Sequence, residues 1–244
     1  MRIAIISDIH ANLEALNAVM DDIETRDVDT VICLGDIVGY GVSPNECVEV
    51  VRKRCPVVLL GNHDAAAIGT LSTQHFNIHA KIAIEWTSAA LSKGSTAWLQ
   101  SLPLREVEGE KTYVHSTPYE PGMWYYITSL EEAAFNFQFF ETRLCFIGHT
   151  HIPIIIVLDK EKELYVHQDS SIDYRALDEA RLLINVGSVG QPRDRNPQSC
   201  YGLLDTEAQL FRHHRVSYDV KKAQARMRKQ KMPEFLITRI ADGR

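Results

Sequence analysis

The first sixty residues alternate between short continuous apolar runs and apolar positions at helical spacing. Ile3 to Ser7 has the pattern of a strand buried on both faces. Leu13, Leu16, Val19, Met20 and Ile23 then recur as one face of a helix. Val31 to Leu34 is a second buried strand, and Val57 to Leu60 a third that ends at Gly61. Between them, Ser43-Pro44-Asn45-Glu46 combines an N-cap serine, a proline at the first helical position and a glutamate three after the cap. This start predicts a helix to about Arg54. Strands alternating with helices imply a parallel sheet with right-handed crossovers.

The pattern changes from Ala65 to about Leu102, where Ala, Ile and Leu dominate one or two helices. Asn77, Ile78, Ala80, Ile82, Ile84 and Trp86 belong to a segment that either packs on the sheet or projects as a cap. Strand character returns near Lys111 to Val114. Ser129-Leu130-Glu131-Glu132 is a second capping box, starting a helix through Phe140, and Leu144 to Ile147 is another buried strand. After Pro153 the chain reads as short strands at Ile154–Leu158, Leu164–His167, Arg181–Ile184, Cys200–Leu204 and Leu210–Val216, suggesting a second, more antiparallel sheet. No repeat or low-complexity linker interrupts it. The expectation is one domain over 1–244, with 65–102 as a helical insertion or cap.

Composition narrows the function class. The net charge of -6 argues against an extended nucleic-acid surface, which needs a basic face. Lys221, Lys222, Arg226, Arg228, Lys229 and Lys231 do bunch together, and they read as a solvated helix face. The 5 cysteines, Cys33, Cys47, Cys55, Cys145 and Cys200, are scattered without a C-x-x-C pair, so neither a zinc knuckle nor a disulfide framework is indicated. Reduced buried thiols, an N-terminus without signal-peptide layout and no apolar stretch long enough for a bilayer point to a cytoplasmic protein.

The chemistry lies at the strand ends. Ser7-Asp8-Ile9-His10, Gly35-Asp36 and Gly61-Asn62-His63-Asp64 each follow directly after a predicted strand, as do His115 and Gly148-His149-Thr150-His151. Ligands of open α/β sheets bind beyond the carboxyl ends of strands. Each piece alone is weak, since Asp and His are common in turns. Five successive strand ends carrying carboxylates, imidazoles and a carboxamide make a metal site. Imidazole and carboxylate without cysteine suit Mn²⁺, Fe, Zn²⁺ or Ni²⁺. So many histidines do not suit an all-oxygen Mg²⁺ or Ca²⁺ site. The donors also exceed one tetrahedral zinc, and two ions sharing a carboxylate accommodate them.

This ordered set, Asp8-x-His10, Gly35-Asp36, Gly61-Asn62-His63-Asp64, His115 and Gly148-His149-x-His151, resembles the calcineurin-like metallophosphoesterases. The segment Asn185-Val-Gly-Ser-Val-Gly-Gln-Pro-Arg193-Asp is similar to that of small bacterial and archaeal, phosphodiesterase-like members. The resemblance implies a four-layer αββα sandwich of two mixed sheets. It further implies that Asp8, His10 and His151 hold one metal and Asn62, His115 and His149 the other, with Asp36 bridging. The implied ions are two divalent transition metals per chain, Mn²⁺ or Fe foremost and Zn²⁺ or Ni²⁺ as alternatives. A bridging hydroxide would attack phosphorus in line with the leaving oxygen. His63, beside Asn62 but not a ligand, would be the catalytic group that protonates the leaving group or binds a phosphate oxygen. Asp64 either orients that ring or starts a helix.

Protein serine/threonine phosphatases of the superfamily carry a second Asp and an Arg shortly after the bridging Asp. Here that stretch is Asp36-Ile-Val-Gly39-Tyr40-Gly41, which disfavours a phosphoprotein substrate. The leading expectation is a metal-dependent hydrolase of small phosphodiesters or nucleotides. The alternatives are a phosphoprotein or general phosphomonoester phosphatase and, from another class, a non-catalytic scaffold of the same fold. Asn12 is expected either to reach a phosphate or to cap a helix. Tyr40, Trp124, Tyr125 and Tyr126 either flank the site or fill the core, and Arg193 is the best arginine for a second phosphate. His75, His79, His167, His213 and His214 fall outside the strand-end pattern and read as structural or exposed. A homo-oligomer is compatible with this reading, and the 65–102 helices offer one face for it.

Overall fold

A computed structural model describes residues 1–244. Twelve strands form two sheets of 6 strands each. In the first sheet β1 (Arg2–Ile6) pairs in parallel with β2 (Thr30–Cys33), which pairs in parallel with β3 (Val57–Val58). In the second, β4 (Arg105–Glu108) pairs antiparallel with β5 (Lys111–Val114), which runs parallel to β6 (Leu144–Ile147). The later strands are β7 (Ile154–Leu158), β8 (Leu164–His167), β9 (Ser171–Asp173), β10 (Arg181–Asn185), β11 (Ser199–Asp205) and β12 (Leu210–Val216). The orders are β3-β2-β1-β11-β12-β9 and β4-β5-β6-β10-β7-β8.

The late strands therefore do not form a sheet of their own. They split: β9, β11 and β12 extend the first sheet, while β7, β8 and β10 complete the second. The first sheet is mixed for that reason, and the second is mixed already through antiparallel β4 and β5 beside parallel β6. The expected αββα sandwich holds, but its partition differs from a parallel half followed by an antiparallel half. Short apolar runs show that a strand is buried and carry no information about which neighbour it pairs with.

Side-chain alternation explains the layers. Ile3 and Ile5 of β1 point into the core between the sheets, with Ile32, Leu34, Tyr113, Phe146 and Ile184. Ala4 and Ile6 point the other way, onto helices. Those helices are α1 (Leu13–Glu24) and α2 (Pro44–Arg54), and α1 buries Ala15, Leu16, Val19, Met20 and Ile23. On the second sheet Cys145 and Ile147 face outward beneath Ala133 and Phe137, at and beyond the short helix whose capping box Ser129 and Glu132 complete. Full burial of each such aliphatic side chain contributes roughly 1.5–3 kcal/mol.

Local rules succeed and fail in identifiable places. Pro44 does open α2, but Ser43 makes no side-chain cap bond, and its buried Oγ has no partner. The helix after Ser129 ends at Asn136 and tightens into a 3₁₀ turn at Phe137–Phe139, short of the expected Phe140. Edge strand β4 shows no apolar alternation because Arg-Glu-Val-Glu is largely exposed. Between residues 62 and 99 lie α3 (Asn62–Ala67), α4 (Ile78–Ala90) and α5 (Lys93–Leu99). Ile84 and Leu99 from this stretch pack into the helical layer, so it lies against the first sheet's outer side. After α6 (Leu130–Asn136), the chain ends in α7 (Val220–Lys229) and α8 (Glu234–Asp242). The basic residues of α7 are solvated except Arg226, which pairs with Glu14 at 3.1 Å. All 5 cysteines are buried and free. No helix is long and apolar enough to cross a membrane.

Candidate active site

The parallel strands of both sheets end at one place. Asp8 and His10 leave β1, Asp36 follows β2, and Asn62 and His63 open α3 just beyond β3. From the second sheet His115 follows β5, and His149 and His151 follow β6. All eight residues are buried, none above 6% exposed. The structure thus brings together every one of the strand-end residues. Asp8, His10, Asp36 and His151 offer ligand atoms within 4.8 Å of one another, and so do Asp36, His115 and His149. Asp36 belongs to both groups. Its Oδ2 lies 3.7 Å from His10 Nε2 and 3.4 Å from His115 Nε2.

Backbone carbonyls orient the imidazoles. His10 Nδ1 is 3.2 Å from Val38 O, His115 Nδ1 3.2 Å from Leu34 O, and His151 Nδ1 2.6 Å from Gln191 O. A carbonyl can only accept, so each Nδ1 carries a proton and Nε2 is the atom turned to the donor groups. His149 is reversed: its Nε2 donates to Trp124 O at 3.0 Å, leaving Nδ1 free. Such outer partners are what metal-binding histidines require. Buried polar atoms are nearly always paired. Here Asp8 Oδ1, Asn62 Oδ1 and His115 Nε2 are buried without a hydrogen-bond partner, and Asp8 and His115 belong to the converging groups. Unsatisfied lone pairs of hard and borderline donors fit divalent transition ions.

The backbone is bent to achieve this. Asp8, His10, Asp36, His149 and His151 have φ of 55, 51, 53, 67 and 62°, in the left-handed region. Each such non-glycine residue costs about 1 kcal/mol or more and persists only where its surroundings hold it. Close approach supplies that hold. A Cβ on Gly148 would stand 2.1 Å from Ser7 Oγ and 2.5 Å from Asp8 Oδ2, and one on Gly61 2.1 Å from Asp36 Oδ1. The 185–191 loop completes the frame: Asn185 Nδ2 donates to Thr150 Oγ1 at 2.9 Å and Ser188 Oγ to Asp8 O at 2.8 Å.

Electrostatics leave the donors in binding form. Burial raises the affinity of Asp8 and Asp36 for protons, but adjacent histidines outweigh it and hold both carboxyls below their ordinary range. Burial pushes His149 down to about 3 and His63 to about 4, and it also lowers His10 and His151. His115 is the exception. Burial opposes its charge, yet Asp36 and Asp8 overcome it and raise the ring to about 9. A cation entering the site displaces that proton. Asp64 is raised to about 7 by burial and by Asp36. Its oxygens accept from Val38 N and Gly61 N, both at 3.0 Å, so it starts α3 and does not contact the His63 ring.

His63 presents two ring nitrogens without protein partners, and Nδ1 is fully buried. A cleft of about 290 Å³ opens beside Asn62, His63 and His149, walled by Tyr40, Phe76, Trp124 and Tyr126. Tyr126 stacks on His149 with ring centres 4.0 Å apart, and Tyr40 lies 4.4 Å from His63. Tyr125 instead stacks on Tyr119, away from the donors. Asn12 Oδ1 caps α1 through Ala15 N at 3.2 Å and its Nδ2 donates to Gly190 O at 2.9 Å, so the side chain serves as the helix cap, with a second Nδ2 hydrogen outside these bonds. Arg193 is near the site, its Nη2 2.9 Å from Gln191 Oε1 and its charge lowering His63 and His151. Sequence reasoning missed Phe76 and His75 in the cleft, because the helical insertion gives no strand-end signal. His79 stacks on Phe235, and His213 donates to Asn185 O at 2.7 Å.

Comparison with known proteins agrees with this geometry. The model for the calcineurin-like phosphoesterase superfamily domain matches residues 1–209. An uncharacterized protein of Methanocaldococcus jannaschii is 41% identical over 248 residues, covering 99% of this chain and 98% of its own. The crystal structure of a metallophosphoesterase from Sphaerobacter thermophilus is 44% identical, covers 100% of both chains and superposes with a TM-score of 0.88. A hypothetical protein from Pyrococcus horikoshii shares the fold at 19% identity and a TM-score of 0.82, covering 100% of this chain and 98% of that one. This chain belongs to the calcineurin-like phosphoesterase superfamily and is a metal-dependent phosphoesterase.

Proposed function

We propose that the protein hydrolyses small phosphodiesters, nucleotides among them, at a centre of two divalent cations. The observation that carries this reading is the pair of donor groups sharing Asp36. Asp8, His10 and His151 would hold one ion, and Asn62, His115 and His149 the other, with Asp36 touching both. The donor set, imidazole and carboxylate without thiolate, favours Mn²⁺ or Fe and admits Zn²⁺ or Ni²⁺. Two such cations, when bound, offset phosphoryl charge and acidify water at the site.

The remaining chemistry belongs to the chain. His63 enters as neutral imidazole, since burial holds it at about 4. A substrate phosphate beside it adds negative charge and raises that value, which equips its N–H to donate to the leaving oxygen. Tyr126, Trp124 and Phe76 line the cleft next to His149 and offer an apolar wall to the alcohol part of the ester. That wall, with no arginine directly after Asp36, favours a diester or nucleotide over a phosphoprotein.

Metal analysis and two activated esters test this reading. Protein loaded with Mn²⁺ should carry about two ions per chain and hydrolyse bis(p-nitrophenyl) phosphate faster than p-nitrophenyl phosphate. Less than one bound ion with no rescue by Mn²⁺ would overturn the two-metal centre. A monoester rate far above the diester rate would overturn the diester preference in favour of a monoesterase.

A further inference from the structure

Two arginines beside the donor set are not accounted for by phosphoester chemistry at one phosphorus. Arg193 ends the loop that orients His151, and Arg239 lies on α8, beyond the 1–209 segment shared with the family domain. Their guanidinium carbons are 5.8 and 6.0 Å from the centre of the Tyr40 ring. That ring is in turn 4.7 Å from His10 and 4.4 Å from His63. Both cations therefore sit about Tyr40, next to the site, and the charge of Arg193 is felt at His63.

Neither is paired with an Asp or Glu side chain. The Arg193 guanidinium bonds only the neutral Gln191 carboxamide, and its Nε is buried without a partner. Arg239 gives Nε to the main-chain oxygen of Arg244, the last residue, and its two Nη groups have no hydrogen-bond partner. Burial, then Arg193, lowers Arg239 to about 10, and no Asp or Glu side chain offsets them. Acids are not scarce in this chain, which has 32 Asp and Glu against 26 Lys and Arg. Two like charges held near each other in a half-buried place repel unless an anion joins them. Guanidinium forks match phosphate oxygens, and Tyr40 keeps their planes in place.

We propose that Arg193, Arg239 and Tyr40 form a second anion subsite, so that the preferred substrate carries a further phosphate besides the one hydrolysed. The proposal rests on the phosphoesterase reading and narrows it to bisphosphates and to nucleotides with an additional phosphoryl group. It also gives α8 a role in specificity: the C-terminal helix supplies a substrate contact that the shared domain lacks.

Competitive inhibition of bis(p-nitrophenyl) phosphate hydrolysis tests it, at fixed free Mn²⁺, with propane-1,3-diyl bisphosphate and propyl phosphate as probes. The wild type should bind the bisphosphate about tenfold or more tightly than the monophosphate. Arg239→Met should bring that ratio down to about twofold, the statistical advantage of two phosphates, whereas Arg239→Lys should keep part of it. A wild-type ratio of about two or less overturns the subsite. So does an unchanged ratio in Arg239→Met. The wild-type ratio and its decline with added salt decide the matter even if Arg239→Met does not fold. Absence of diester hydrolysis by the wild type would instead sink the phosphoesterase reading, and the subsite with it.

Discussion

His63 and Asn62 are adjacent in the chain and differ in what surrounds them. Asn62 Oδ1 is buried and unpaired, whereas the His63 ring lies against Tyr40, His10 and Phe76. His63→Ala should therefore keep its metal content while lowering kcat by about 10²–10⁴-fold, the usual worth of a proton donor. Metal analysis and steady-state kinetics on one preparation check this, and unchanged kcat would remove His63 from the chemistry. At this scale the sequence was most legible. Asp and His directly after buried strands gather beyond the sheet edge, so the candidate metal-binding groups announce themselves. Asn12 shows the limit: a carboxamide two residues past His10 suits a phosphate and a helix cap equally well, and only the positions of Ala15 N and Gly190 O reveal that it caps α1.

Among elements, the turns after strands carry more information than the strands. The β6 turn places His149 and His151 in left-handed backbone, with Gly148 pressed on Ser7 and Asp8. Gly148→Ala should move that turn away from β1, weaken Mn²⁺ affinity by tenfold or more and cost about 1–3 kcal/mol of stability. Titration with Mn²⁺ and thermal unfolding would show it, and wild-type affinity in the variant would mean that the turn yields without disturbing Asp8. Helices and central strands were readable from periodicity and caps. Pairing was not. The run Ile154–Leu158 looks the same whether its neighbour is β10 or β11, and the exposed Arg-Glu-Val-Glu of β4 carries no alternation at all. The cleft wall from Leu71 to Ala80 was also hidden, because its residues act through where α4 docks.

For the whole molecule, the donor set straddles the two sheets. His151 Nε2 from the second sheet is 3.2 Å from Asp8 Oδ1 of the first, and His115 Nδ1 donates to Leu34 O across the same boundary. An unfolded chain, or either sheet separated from the other, lacks the set. Cations that bind only the docked arrangement stabilise it by about 4 kcal/mol at a thousand times their dissociation constant. Removing them with EDTA should lower Tm by on the order of 10 °C in a chain of this size, and excess Mn²⁺ should restore it. Calorimetry with and without chelator would measure the difference, and an unchanged Tm would show that the seam holds without ions. The seam also follows from neighbouring pairs that the linear pattern cannot convey, since β1 and β6 are joined through the 185–191 loop rather than by sequence proximity.

The carbonyl contacts that hold the imidazoles lie on the main chain. Val38, Leu34, Gln191 and Trp124 hold the imidazoles by main-chain oxygens, which no side-chain substitution can delete. The outer scaffold of the site is thus robust to mutation at those four positions so long as the backbone path is kept. Variation there can reshape the cleft through Trp124 while the imidazoles keep their tautomers. One framework can in this way serve different esters, with substrate choice drifting faster than the ability to take up metal.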